Sequence, residues 1–232
     1  MRPVNKGKSP IKGEFKHYTQ AMPYLIKRLG NYCSYCERRF SVGLAVEHVS
    51  PKDLHPEEEK KWSNFLIACV QCNSSKGVTD IATNQLGDYV WPDMDDTYHM
   101  ITYLPEDGYE ARAAKNLSEG DTNRVNNTLR LVKVNAITTK YGMTNYMNKL
   151  GERAKTATQC ARLKAILLKK VAKLQSKPND EEIKEEYNDL VDTICMAMET
   201  GGFWSIWMNY FEDIPEIKAK MLDFYNTQKQ YF

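Results

Sequence analysis

Apolar residues recur along the chain in two different periods, which predict a small mixed region followed by a helical one. Between Glu14 and Leu29 they recur at three- and four-residue spacing, and Gly30 follows, which predicts an amphipathic helix. Two short apolar stretches, residues 41–50 and Phe65–Val70, predict the two strands of a hairpin. The mixture of aromatic and turn-forming residues over 88–112 predicts a second small hairpin or an extended flap.

Beyond Gly120 the pattern is helical almost throughout. Glycine, proline and capping residues bound the helices that we expect over residues 121–135, 139–151, 157–176, 180–200, 203–211 and 215–226. The aromatic residues of Phe203–Phe211 have the spacing of one helix face, which favours a buried face over a partner-binding or base-stacking surface.

The fold class that these elements predict is α+β, mainly α. We place a domain boundary near residue 116. Residues 1–115 then form one domain, with a basic N-terminal arm and a helix, and residues 116–232 form a helical domain that binds a partner or nucleic acid.

The distribution of charge is more informative than its sum. A formal net charge of +2 is too small to indicate nucleic-acid binding by itself. Basic residues dominate over 1–39 and again over 149–177, which fits either two positive faces for phosphate backbones or ordinary solvated helix faces. Arg38 and Arg39 lie next to a cysteine pair, and we expect them to bind nucleic acid.

No apolar run approaches the roughly 20 residues that cross a bilayer, and the first residues lack the apolar core of a secretory signal. We therefore expect a cytoplasmic protein that binds no membrane. In reducing surroundings, paired C-x-x-C units more often hold a metal than form disulfides.

Four of the six cysteines form two such units, Cys33-Ser-Tyr-Cys36 and Cys69-Val-Gln-Cys72. Four thiolates complete a tetrahedral zinc shell at Zn–S distances of about 2.3 Å and leave no open coordination position. The sequence therefore predicts a structural zinc ion held by Cys33, Cys36, Cys69 and Cys72.

The residues between and after these units carry the candidate chemistry. A neutral histidine such as His48 can take a proton from water near neutral pH, and a carboxylate such as that of Glu47 suits a hard divalent cation. Asn73 follows Cys72 directly, so we expect the metal-binding cysteine pair Cys69–Cys72 to fix the position of the Asn73 side chain. Lys52 and Lys76 are placed to contact flanking phosphates.

Cys33–Cys36, Val46–Lys52, Asn64 and Cys69–Lys76 together resemble the zinc-containing HNH endonucleases, whose site is a ββα-metal fold. The resemblance implies that His48 is the general base, that Glu47 and Asn73 hold a catalytic Mg²⁺ or Mn²⁺, and that Asn64 orients the loop carrying His48. The activity that it implies is hydrolysis of phosphodiester bonds in DNA, or in RNA such as transfer RNA. The alternative is a non-catalytic zinc-dependent module that binds nucleic acid or protein.

Further motifs resemble one group within these nucleases, the PtuB-type effectors of Septu and retron-associated anti-phage defence systems. They are Met1–Val4, Tyr89–Asp93, the helix over 124–135 and Gly202–Met208. The resemblance implies a PtuA-type ATPase as partner and, in retron versions, a reverse transcriptase with its RNA-linked DNA.

Overall fold

The computed structural model describes residues 1–135 and 149–232. Within these residues, four strands lie in two hairpins: β1 (Leu44–His48) with β2 (Phe65–Cys69), and β3 (Ile101–Tyr103) with β4 (Ala111–Ala113). The described helices are α1 (Met22–Leu29), α2 (Val70–Lys76), α3 (Thr97–Met100), α4 (Glu119–Leu131), α5 (Lys149–Ser176), α6 (Glu181–Gly201), α7 (Trp204–Phe211) and α8 (Pro215–Asp223). The helix predicted over 139–151 lies outside the described residues, apart from its end, where α5 begins.

A ββα unit formed by β1, β2 and α2 is the centre of the N-terminal half. The strands are antiparallel, with Leu44 opposite Cys69 and His48 opposite Phe65. The Cys69 sulfur accepts a hydrogen bond from the Cys72 backbone and so caps the first turn of α2, which follows β2 without a loop. The predicted mixed, mainly helical fold with a ββα core is confirmed.

The first helix is shorter than its apolar pattern indicates. The backbone N–H of Phe15 bonds to the Lys60 carbonyl at 3.3 Å, so the chain is not yet helical there. A 3₁₀ turn at Tyr18–Ala21 leads into α1, and Pro23 stands in the first turn, where its missing N–H is tolerated. The predicted start at Glu14 was therefore wrong, whereas the end at Gly30 is confirmed.

The N-terminal segment was expected to be a basic arm, but its first cations are buried. One nitrogen of the Arg2 guanidinium donates to the Leu29 carbonyl at 2.7 Å. The Lys6 ammonium lies 2.7 Å from Asp93 and donates to the carbonyls of Ser63 and Phe65. These charges can be buried because each is hydrogen-bonded or paired inside the fold. Their partners come from distant parts of the chain, so the sequence did not indicate the burial.

The helical half packs α5 against α6 and α7, with α8 against α6 and α7. The aromatic face of α7 is buried, as its spacing predicted: Trp207 and Phe211 are fully buried, with stacked rings 6.1 Å apart between centroids. Among the described helices, none combines the length and the apolar character needed to cross a membrane.

The helical half touches the N-terminal half at the turn after the first cysteine pair. Phe203 donates its backbone N–H to the Glu37 carbonyl at 3.0 Å, and the Ser205 hydroxyl donates to the Glu37 carboxylate at 2.6 Å. A Cβ on Gly202 would lie only 2.7 Å from the Glu37 carbonyl oxygen, so this approach requires glycine. The boundary between residues 115 and 116 stays a prediction, and buried contacts cross it.

Candidate functional site

The two cysteine pairs meet beside the first hairpin. The Ser34 backbone N–H donates to the Ile67 carbonyl at 2.8 Å, which holds the first pair against β2, while the second pair begins at the end of β2. All four sulfur atoms lie within 4.8 Å of one another, and those of Cys36 and Cys69 are 3.9 Å apart. A tetrahedral zinc shell places its sulfurs about 3.8 Å apart, so the four buried cysteines fit a structural zinc ion.

A buried lysine from the helical half faces this cluster. The Lys149 ammonium, on a residue that is 1% exposed, lies 3.6 Å from the Cys72 sulfur and 3.3 Å from the Lys133 carbonyl oxygen. Four thiolates around a dication carry a net charge of −2, which a neighbouring ammonium partly offsets. The pKa of Cys69 is lowered by hydrogen bonds from the other thiols of the cluster. Sequence reasoning missed Lys149 because 77 positions separate it from Cys72.

A cleft of about 690 Å³ is lined by residues of β1 and α2 other than the four cysteines. Its lining includes Glu47 and His48 at the end of β1, Lys52 in the loop that follows β1, and Asn73 on α2. Glu47 and His48 are consecutive, yet both line this cleft. The structure thus brings together the predicted base and the two predicted cation ligands.

The orientation of the His48 ring leaves one nitrogen available as a base. Its Nε2 lies 2.9 Å from the Glu59 carbonyl oxygen, which only accepts, so Nε2 carries the proton and Nδ1 keeps its lone pair. The rings of Tyr18 and Phe65 pack edge-on against it, with centroids at 4.8 Å and 5.3 Å. Burial lowers the pKa of His48, which favours the neutral form.

Asn64 joins the two ends of the loop between β1 and β2 by hydrogen bonds of its side chain. Its side-chain oxygen accepts from the Ser50 backbone N–H at 2.7 Å, and its side-chain nitrogen donates to the carbonyls of Ser50 and Glu58 at 2.9 Å and 3.2 Å. Asn64 is not among the residues that line the cleft. These contacts fit a role in orienting the loop, which stays a prediction.

Glu47 is almost fully buried, and its two known contacts use the same oxygen. Oε1 accepts from the Tyr35 hydroxyl at 3.4 Å and lies 3.2 Å from the Lys76 ammonium. Burial raises the pKa of Glu47 to about 7, and Lys76 opposes the shift. In the described part of the chain Oε2 has no hydrogen-bond partner. Glu47 Oε2 and the side-chain oxygen of Asn73 are hard oxygen ligands of the kind that Mg²⁺ or Mn²⁺ prefers. These two residues therefore fit the predicted cation.

Lys76 does not have the surface position that we predicted for a phosphate contact. Its side chain is 2% exposed, and its ammonium donates to the His48 carbonyl at 2.7 Å as well as pairing with Glu47. Burial lowers the pKa of Lys76. Lys76 lines the cleft, but two internal oxygens hold its ammonium, so its contact with a substrate phosphate stays a prediction that these bonds disfavour. Its position one turn after Asn73 on α2 was the signal that the two residues share a site.

The other predicted nucleic-acid contacts differ in their availability. The Lys52 ammonium lines the cleft, 5.0 Å above the Tyr18 ring. Arg39 is exposed, whereas Arg38 is engaged by both oxygens of Glu152, at 2.7 Å and 2.9 Å. Tyr18, which touches both His48 and Lys52, is a cleft residue that the sequence indicated only as part of an amphipathic helix.

Comparison with known proteins agrees with this geometry over a limited part of the chain. Residues 33–79 match the family described as HNH endonuclease. The chain is also similar to the Septu protein PtuB of Bacillus thuringiensis, with 41% identity over 59 residues. That alignment covers 24% of this chain and 23% of the relative, so the chain spans about a quarter of the length of the curated relative that it matches. The resemblance to PtuB-type HNH endonucleases is confirmed for this region.

If the cysteine cluster holds zinc, Cys69→Ser should release the ion and lower the melting temperature. We expect a drop of roughly 10 °C or more, because a structural zinc site contributes several kcal/mol and each kcal/mol shifts a domain of this size by about 2–4 °C. Zinc content by mass spectrometry and melting by calorimetry check this. Cys195→Ser, outside the cluster, is the control and should keep the zinc. Unchanged melting after confirmed zinc loss would refute the stabilising role.

The position of Lys76 predicts that its removal affects stability. Lys76→Met should lower the free energy of unfolding by about 3 kcal/mol, because it leaves the Glu47 carboxylate buried without its partner. Lys52→Met removes the same charge from a partly exposed position of the same cleft and should change it by about 0.5 kcal/mol or less. Denaturant titration of both variants measures the difference. Equal effects of the two substitutions would show that the buried ion pair of Lys76 with Glu47 does not stabilise the fold.

Proposed function

We propose that this chain is a divalent-metal-dependent nuclease that hydrolyses phosphodiester bonds of nucleic acid in the cleft of its ββα unit. The observation that carries the proposal is the state of His48: Nε2 is committed to the Glu59 carbonyl, and Nδ1 is left as a base. This base lines the same cleft as Glu47 and Asn73. The match of residues 33–79 to HNH endonucleases supports the same reaction.

In the proposed mechanism, Nδ1 of His48 removes a proton from a water molecule that is in line with the scissile P–O bond. The hydrogen bond from Nε2 to Glu59 holds the ring in place and stabilises the imidazolium that forms. The lowered pKa of His48 keeps the base neutral near neutral pH. Tyr18 and Phe65 restrict the ring to this orientation.

Glu47 and Asn73 would hold the divalent cation through oxygen atoms. When bound, Mg²⁺ or Mn²⁺ supplies polarisation of the phosphate and stabilisation of the leaving oxygen. Lys76 joins α2 to the end of β1 through Glu47 and the His48 carbonyl. These bonds would fix the positions of Glu47, Asn73 and His48 relative to one another. Lys52, at the cleft, would contact a substrate phosphate.

The similarity to a Septu protein supports a role as the nuclease of an anti-phage defence system. We extend this proposal to a PtuA-type ATPase as partner and, in a retron setting, to a reverse transcriptase with its RNA-linked DNA. The substrate is DNA or an RNA such as transfer RNA, and the site of action is the cytoplasm. The resemblance to PtuB-type effectors implies these partners, and the motifs that carry it are Met1–Val4, Tyr89–Asp93, the helix over 124–135 and Gly202–Met208.

A second candidate function is a non-catalytic zinc-dependent binding module. The ion pair between Lys76 and Glu47 favours it, because the ammonium already balances the carboxylate charge that a divalent cation would use. Such a module binds nucleic acid or protein without cutting. Cleavage assays with several divalent metals distinguish the two functions.

The nuclease proposal predicts that His48→Ala abolishes cleavage without affecting the zinc. With Mg²⁺ or Mn²⁺, cutting of DNA or RNA by the whole chain, with its partner if one is needed, should fall at least about 100-fold, since positioned general bases contribute 10²–10⁴. His99→Ala, at an exposed histidine paired with Asp96, should cut normally. Zinc content should be the same in both variants. Wild-type cutting rates in His48→Ala would contradict the assignment.

A further inference from the structure

Helix α5 carries a row of cations that the proposed catalytic site does not use. We call Lys155, Arg162, Lys169 and Lys173 the α5 stripe, and all four are exposed. At 100° per residue they fall within about 40° of one another around the helix axis. Steps of seven, seven and four residues, at 1.5 Å per residue, spread them over about 27 Å. The stripe is therefore a straight line of positive charge.

Packing fixes the direction in which the stripe points. Cys160 and Leu167 lie on the opposite side of α5 and are fully buried. That side contacts α6 and α7, which form the helical core. Because α5 is 28 residues long and is anchored by its buried side, the stripe faces solvent along most of the helix.

The stripe is not neutralised within the described residues. Two other lysines of α5 have carboxylate partners: Lys164 pairs with Asp213 and Lys170 with Glu186. In residues 1–135 and 149–232 no ion pair or hydrogen bond is seen for the four stripe side chains. The sequence has no acidic residue between Glu152 and Asp180, and Glu152 is held by Arg38. Lys173 also interacts electrostatically with Glu186, which helps to lower the pKa of that carboxyl, but Glu186 is already paired with Lys170. The charges of Lys155, Arg162 and Lys169, and most of that of Lys173, therefore remain available to an external anion.

The composition of this face favours nucleic acid over a protein. Protein interfaces depend on buried aromatic and apolar anchors. One exposed large apolar side chain of α5, Ile166, lies close to the stripe. The exposed Leu168 lies about 120° around the helix axis from the mean direction of the four stripe residues. Phosphate backbones need only regularly placed cations, and about 27 Å of duplex presents roughly 16 phosphate charges.

We infer that the α5 stripe is a second binding surface for the phosphate backbone of nucleic acid, outside the catalytic cleft. The inference rests on the proposed function, because it takes the substrate of the cleft to be the molecule that the stripe holds. DNA and RNA share the backbone chemistry that the stripe recognises. The stripe would therefore add affinity without selecting a sequence.

The test compares two variants of the zinc-loaded full chain in the absence of Mg²⁺ and Mn²⁺, so that no substrate is cut. The stripe variant carries Lys155→Gln, Arg162→Gln, Lys169→Gln and Lys173→Gln. Binding of a duplex DNA and of a structured RNA, each longer than α5, is measured by fluorescence anisotropy over a range of salt concentrations. For duplex DNA, the slope of log K against log salt should become shallower by up to about 3.6, at about 0.9 per lost phosphate contact.

The control variant carries the same change in charge at lysines that already have carboxylate partners. These are Lys170, Lys184, Lys220 and Lys229, each changed to Gln. Its slope should change by less than about 1, which is one contact. Melting curves of both variants verify the fold.

An unchanged slope in the stripe variant, or equal changes in both variants, would overturn the inference and leave an acidic protein as the occupant of the stripe. Absence of binding to DNA and RNA by the unmodified chain would overturn it as well. The outcome is independent of the cleavage assay on His48→Ala. Stripe-dependent binding without any cleavage would refute the proposed nuclease and retain the binding surface.

Discussion

The geometry of the site depends on the closure of the four cysteines around one point. This closure fixes the start of α2 against the end of β2, because Cys69 belongs to the strand and Cys72 to the helix. Two further residues of the same short helix then have defined places: Asn73 reaches the cleft, and Lys76 reaches Glu47 and the end of β1. A helix of seven residues thus links the four-cysteine cluster to the residues of the proposed catalytic site.

The helical half is connected to this cluster from two sides. Lys149 at the start of α5 contacts Cys72, while Gly202 after α6 lies against the turn that follows Cys36. Both contacts are buried, so movement of the helices away from the ββα unit would separate the Lys149 ammonium from Cys72 and the Glu37 carboxylate from Ser205, at substantial cost. The helices therefore support the site, and one of them also presents the α5 stripe.

The sequence was sufficient to predict features that depend on local spacing. The two C-x-x-C pairs indicated the four-cysteine cluster, whereas the ββα unit and the grouping of Glu47 and His48 with Asn73 were implied by the resemblance to HNH endonucleases. Features that depend on distant partners were missed. The buried position of Lys76 depends on packing against β1, and that of Lys149 depends on a contact across 77 positions. A lysine in a polar stretch is normally exposed, so the sequence gives no sign of such burial.

We propose that this chain has two metal sites of different chemistry, a closed one of sulfur ligands and an open one of oxygen ligands. Anomalous diffraction from crystals soaked in Mn²⁺ tests it most directly. We expect a zinc signal among the four cysteines and a separate manganese signal in the cleft, between Glu47 and Asn73, with His48 uncoordinated. Manganese absent from the cleft, or bound by His48 in place of Glu47, would contradict it.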